Sequence, residues 1–128
     1  MTKTKALSVA LLTVVALVGC SSFRSGPGDV VEKFVRHVEA GETTEAAALL
    51  SGDLVNNLGP DKLRRVLAEQ TRQIQSKGGI SSIEIVSEDM LGETAEVTAV
   101  TTYGNGSTQR ETTKLIQKDG EWKIALSK

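Results

Sequence analysis

The side chains that most often carry enzymatic chemistry are scarce in this 128-residue chain, which holds one histidine, His37, and one cysteine, Cys20. Nucleophilic catalysis of the triad kind needs a base beside the nucleophile, so His37 is the only imidazole that could serve. It falls at the edge of the Val30, Phe34 and Val38 stripe, where it either faces a pocket or covers the margin of the core. A single histidine and a single cysteine do not assemble a zinc site of ordinary ligand type. Asp89, Glu93 and Glu96 lie close together, but Glu96 alternates away from Val97 and the other two flank a turn, so they read as solvated carboxylates. Gly104-Asn105-Gly106-Ser107 lacks the third glycine and the following helix of a phosphate loop, and reads as a turn.

Gln70 is the more informative oddity. It falls in the stripe formed by Leu63, Val66, Leu67 and Ile74, where an apolar residue is expected, and a buried amide without partners costs about 1–3 kcal/mol. Either the strands satisfy it or it lines a polar pocket. Tyr103 and Trp122 belong to the core or its rim, with their polar tips bonded or wet. Gln70, Tyr103, His37 and Trp122 are therefore the candidate pocket-lining residues, and no catalytic residue, metal or cofactor is assigned.

The elements that position these residues follow from periodicity. A first helix starts at Pro27-Gly28-Asp29 and stops near Gly41, with Val30, Val31, Phe34, Val35 and Val38 as its buried face. A short second helix runs from Thr44 through Leu50, capped by Thr43 or Thr44. Gly59-Pro60-Asp61 starts a third, which Gly78-Gly79 stops. Beyond Gly79 the apolar period changes from about 3.6 to 2 and β-branched residues increase. Ile83 and Ile85 share one face of a first strand; Ala95, Val97, Ala99, Thr101 and Tyr103 share one face of a second. Gly104 to Ser107 turns the chain into a third strand, Thr108 to Lys118. Asp119-Gly120 is a two-residue hairpin signal leading into Trp122, Ile124 and Leu126. Helices first and an antiparallel meander last make an α+β fold.

Charge narrows the partners. With 15 basic and 16 acidic residues and four aromatics, the chain lacks the clustered cations and stacking platforms that nucleic acid requires. Lys62, Arg64, Arg65, Arg72 and Lys77 gather on one helix, but Arg65 and Arg72 lie opposite its apolar stripe, which makes a solvated face.

The amino terminus has its own logic. Lys3 and Lys5 precede an uncharged, mostly apolar run from Ala6 to Val18, too short for the roughly 20 residues that cross a bilayer but fitting the apolar segment of an export signal. Leu17-Val18-Gly19-Cys20 resembles the bacterial lipobox. That resemblance implies cleavage after Gly19, a diacylglycerol thioether on Cys20 and acylation of the new amino terminus. The competing reading, an ordinary secretory signal with a chance cysteine, lacks the A-x-A pattern at the cut. Residues 1–19 are thus expected to be a lipoprotein signal peptide, residues 20–27 a lipidated cysteine with a short tether, and residues 28–128 one domain. The expected location is the cell envelope, anchored in the membrane through Cys20. Ser21, where lipoproteins kept in the inner membrane commonly carry Asp, favours the inner face of the outer membrane if the source has two.

The ordered set Val30-Val31-Glu32-Lys33-Phe34, Gly41-Glu42, Ala46-Ala47, Leu49-Leu50 and Lys114 through Ile124 resembles the lipoprotein family called domain of unknown function 4878. The resemblance spans residues 27 to 126 and implies a cystatin-like, nuclear-transport-factor-2-like architecture, with N-terminal helices packed on a curved four-stranded antiparallel sheet. It brings no catalytic motif. The expected function is accordingly a non-catalytic, monomeric envelope lipoprotein acting through contacts with an envelope protein partner; a small-ligand carrier using a pocket under the sheet ranks second, and a pocket enzyme third.

Overall fold

The computed structural model describes residues 25–125. The expected signal peptide, Cys20 and Leu126 lie outside the described residues. Four helices, α1 (Pro27–Glu39), α2 (Thr43–Ala48), α3 (Gly52–Leu58) and α4 (Pro60–Ser76), precede four strands, β1 (Ile80–Leu91), β2 (Thr94–Tyr103), β3 (Thr108–Lys118) and β4 (Glu121–Ala125). The strands form one antiparallel sheet in the order β1-β2-β3-β4. The α+β fold with helices against a four-stranded meander stands as expected.

Local chemistry explains the boundaries. Pro27 occupies the first helical position of α1, where its missing N–H costs nothing, and the Asp29 carboxylate accepts the Gly26 N–H at 3.1 Å. Gly41 ends the helix at φ 73°, with Glu42 N–H donating to the His37 carbonyl and Gly41 N–H to that of Val38, a Schellman closure. Helix α2 begins after Glu42 and has no side-chain cap, so neither Thr43 nor Thr44 plays the capping role expected of it. Helix α3 was not expected. Its cap is Ser51, whose Oγ accepts the Leu54 N–H at 3.3 Å, and it buries Leu54.

Just before α3 the chain touches the sheet. Leu50 bridges Ile124 in parallel, Ser51 N–H donates to the Ile124 carbonyl at 2.7 Å, and Ile124 N–H donates to that of Leu49 at 2.9 Å. This short segment covers the β4 edge, which would otherwise present unpaired backbone groups. At the start of β4 the Asp119-Gly120 turn has both residues at positive φ, 53° and 77°, as a type I′ hairpin requires.

Register decides which side chains meet the helices. Ala95 pairs with Leu115, Val97 with Thr113, Ala99 with Glu111 and Thr101 with Gln109, while Leu115 pairs with Ile124. These residues share the helix-facing side. Val97 and Leu115 are completely buried there, each burial contributing about 1.5–3 kcal/mol. Val30, Val31, Val38, Leu63 and Leu67 close the core from α1 and α4. Thr71 locks the two helices together by donating its hydroxyl to the Val38 carbonyl at 2.6 Å.

Candidate functional site

The helix layer does not close everywhere on the sheet. Helix α4 buries Leu63, Leu67 and Ile74, yet two residues beside them on the helix stay open. Val66 is 38% exposed and Gln70 is exposed. Beneath this span lies a cavity of about 440 Å³ between α1, α4 and the inner face of β2 and β3. Its apolar wall includes Phe34, Val38, Leu63 and Leu67, and its floor is built from short side chains, Ala99, Thr101 and Thr113. The space follows from sequence: alternation puts alanine and threonine on the inner face where a leucine or phenylalanine would have filled the gap.

One end of the cavity is polar. Tyr103 is 8% exposed, and its hydroxyl donates to Gln109 Oε1 at 3.1 Å. Lys77 Nζ stands 4.5 Å from the centroid of the Tyr103 ring, a cation–π geometry. The close approach of two backbones holds this arrangement. Gly104 N–H donates to the Gly79 carbonyl and Asn105 N–H to that of Lys77, both at 2.9 Å, and a Cβ on Gly104 would collide with the Gly78 backbone. Burial, and after it the Glu111 carboxylate, push the Tyr103 hydroxyl above its ordinary value of 10.0. The phenol therefore stays protonated and a donor throughout the physiological range.

Glu111 is the residue that sequence reasoning missed. Counting back from Leu115 in twos passes Thr113, Glu111 and Gln109, so the period that identified the inner face of β2 would also have turned this carboxylate inward. It pairs across the strands with Ala99 and lines the cavity.

The four candidate pocket residues do not converge. Gln70 and Tyr103 line the same cavity, together with Gln73, Lys77, Gln109 and Glu111. Gln70 is not a buried amide, because the helix face that carries it looks onto the cavity mouth and solvent. His37 lies elsewhere, in a surface depression with Asp29, Glu32, Lys33 and Arg36, its Nδ1 3.6 Å from Glu42 Oε2. Trp122 is buried at 9% exposure beside a third depression, lined by Val30, Leu49 and the β3–β4 turn. Both depressions include Ser25, where the described residues begin. Asp89, Glu93 and Glu96 are exposed, as expected of solvated carboxylates. No group of three histidine, cysteine, aspartate or glutamate side chains that could hold a metal ion occurs among the described residues. Chemically, the cavity offers an apolar surface ending in a tyrosine hydroxyl, amide groups, a carboxylate and an ammonium group.

A family model described as "Domain of unknown function (DUF4878)" matches residues 20–125. No curated protein matches the chain. Among solved structures, the crystal structure of a "Putative NTF2-like transpeptidase" from Campylobacter jejuni superposes with a TM-score of 0.70 at 22% identity, covering 80% of this chain and 100% of that one. The solution structure of a SEC-C motif containing protein from Rhodopseudomonas palustris superposes with a TM-score of 0.58 at 10% identity, covering 78% of this chain and 75% of that one. At these identities the likeness is one of fold.

Proposed function

The chain belongs to the DUF4878 family, and from that premise we propose that it is a lipid-anchored envelope protein whose domain binds a small amphiphilic ligand between α4 and the sheet. The observation that carries the reading is the cavity of about 440 Å³ with apolar walls and one polar end. It falls in the range of roughly 300–1,000 Å³ typical of small-molecule sites, which are mostly apolar with a few placed polar groups. An apolar body would fill the space below Leu63 and Leu67, and a hydrogen-bonding head would meet Glu111, Gln70 and Gln109. This cavity moves ligand binding ahead of the protein-contact role that the sequence favoured.

Anchoring through Cys20 is supported by the lipobox-like Leu17-Val18-Gly19-Cys20 at the end of an uncharged apolar run. Catalysis has less support. The Campylobacter jejuni relative in fold is named as a transpeptidase, but acyl transfer needs a nucleophile beside a base, and the one imidazole of this chain lies outside the cavity.

A thermal-shift screen of envelope metabolites against wild type, Gln70→Leu and Glu111→Gln tests the ligand reading. A ligand at 100 times its Kd stabilises the folded state by about 2.7 kcal/mol. The expected result is a compound that raises the wild-type Tm and loses much of that effect in the two variants. A compound that stabilises all three proteins equally would place the binding elsewhere.

A further inference from the structure

We infer that the tip of the β1–β2 hairpin, Met90 and Leu91, is a second membrane contact that seats the domain on the lipid surface beside its N-terminal anchor. The inference rests on the Cys20 anchor proposed above. Met90 and Leu91 are 62% and 83% exposed, against 39% and 38% for Val86 and Val66, the other large apolar side chains exposed among the described residues. They are adjacent at the extreme end of a strand, and neither lines the cavity.

Two hydrogen bonds orient this tip relative to the anchor. Near the C-terminal end of α1, Glu39 Oε1 accepts the Ile80 N–H at 2.9 Å. At the N-terminal end, Glu88 Oε1 accepts the Gly28 N–H at 2.6 Å. Helix and strand therefore run in opposite directions, and β1 outlasts the start of α1 by the three residues from Glu88 to Leu91, about 10 Å at strand rise. The chain leaves α1 toward Cys20 at this same end. Gly26 lies six positions after Cys20, a reach of at most about 20 Å. Anchor and hairpin tip can thus meet one plane.

The tip is also built to present its side chains. Leu91 pairs with Thr94, Thr94 Oγ1 donates to the Leu91 carbonyl at 3.0 Å, and the Glu93 carbonyl accepts the Gln117 N–H from β3 at 2.7 Å. With the turn backbone fixed by the sheet, the two apolar side chains project rather than fold back. Asp89 precedes them, Glu93 and Glu96 follow, and all three are exposed, so a strongly anionic surface is repelled; zwitterionic headgroups accept the carboxylates while methionine and leucine enter the interface. A chain already held at the bilayer by acyl groups needs little extra energy to fix its orientation, because the second contact is intramolecular. In this pose Tyr103 and the Gly104–Ser107 turn, at the opposite end of β2, point away from the bilayer, and the polar end of the cavity stays in water.

The test uses the full lipoprotein reconstituted in phosphatidylcholine vesicles. Acylated Cys20 has no free thiol, so Leu91→Cys carries the sole site for an environment-sensitive NBD label, and Asn105→Cys serves as the distal control. The expected result is blue-shifted emission at position 91, quenched by doxyl-labelled phosphatidylcholine, with neither effect at 105. Equal aqueous exposure of both labels on an acylated protein would overturn the hairpin contact and leave the anchor standing. Uptake of the thiol dye by the parent protein would show Cys20 free and overturn both.

Discussion

Truncating Leu67 and Leu115 to alanine should have unequal costs, and the inequality measures whether the cavity is open in solution. Both side chains are buried, at 3% and 0% exposure. Leu115 is enclosed between the sheet and the helices and does not line the cavity, whereas Leu67 forms part of its wall. Leu→Ala in a core costs about 2–3 kcal/mol when little new void is left and about 5 kcal/mol when the void is enclosed, the difference scaling at about 24 cal/mol per Å³. At Leu115 the vacated volume is new and closed, so about 4–5 kcal/mol is expected. At Leu67 it merges with space already present, and about 2–3 kcal/mol remains, mostly the lost transfer of apolar groups. The gap of about 2 kcal/mol corresponds to roughly 8–16 °C in Tm for a domain of this size. Urea unfolding followed by circular dichroism reads both values. Equal destabilisation of the two variants, within about 0.5 kcal/mol, would mean that α4 closes onto the sheet and that the cavity does not persist.

Replacing Cys20 with serine should abolish incorporation of a fatty-acid analogue and release the protein from membranes, since the chain has no other cysteine to carry a thioether; equal labelling of Cys20→Ser and wild type would refute the anchor. Tyr103 is the only tyrosine, so phenolate absorbance titrates it alone, and its midpoint should lie above 10.0. The folded state favours the protonated phenol, so this contribution to stability is fully present below about pH 10 and is lost as pH rises through the folded-state midpoint. Glu111→Gln should lower the midpoint only part of the way, because burial is the larger cause; no change at all would remove Glu111 from the site.

The parts of the fold that sequence makes legible are those where one pattern decides. Pro27 and Gly41 bracket α1, the period of two from Ala95 to Tyr103 defines the inner face of β2, and Asp119-Gly120 makes the last hairpin. Helix α3 escaped because Gly52, Asp53, Val55, Asn56 and Asn57 are weak helix formers, unlike the alanines of the equally short α2, although the Ser51 cap preceding Leu54 was there to be read. Gln70 shows a different failure. Spacing placed it correctly on the face of α4 that carries Leu63 and Leu67, but spacing assumes that such a face meets a partner along its whole length. Here the partner strands carry Ala99 and Thr101, the cavity lies between them and the helix, and the polar residue looks onto space. Glu111 was missed for the converse reason: β3 has too few apolar residues to advertise its inner face, so its period of two has to be counted back from Leu115 alone, and the cross-strand pairing of Glu111 with Ala99 agrees with that count. The separation of His37 and Trp122 from the cavity depends on tertiary packing, which no local pattern encodes.

The most direct test of the ligand-binding account is titration of the domain with N-phenylnaphthylamine, a neutral probe that fluoresces in apolar sites, in wild type and in Ala99→Leu. Ala99 is 6% exposed and forms the floor of the cavity, so a leucine there fills the space at an overpacking cost of about 1–3 kcal/mol, which thermal unfolding would register separately. The account predicts one saturable site per wild-type chain and its loss in a folded Ala99→Leu protein. Saturable binding of the same strength in both proteins, or none in wild type, would contradict it.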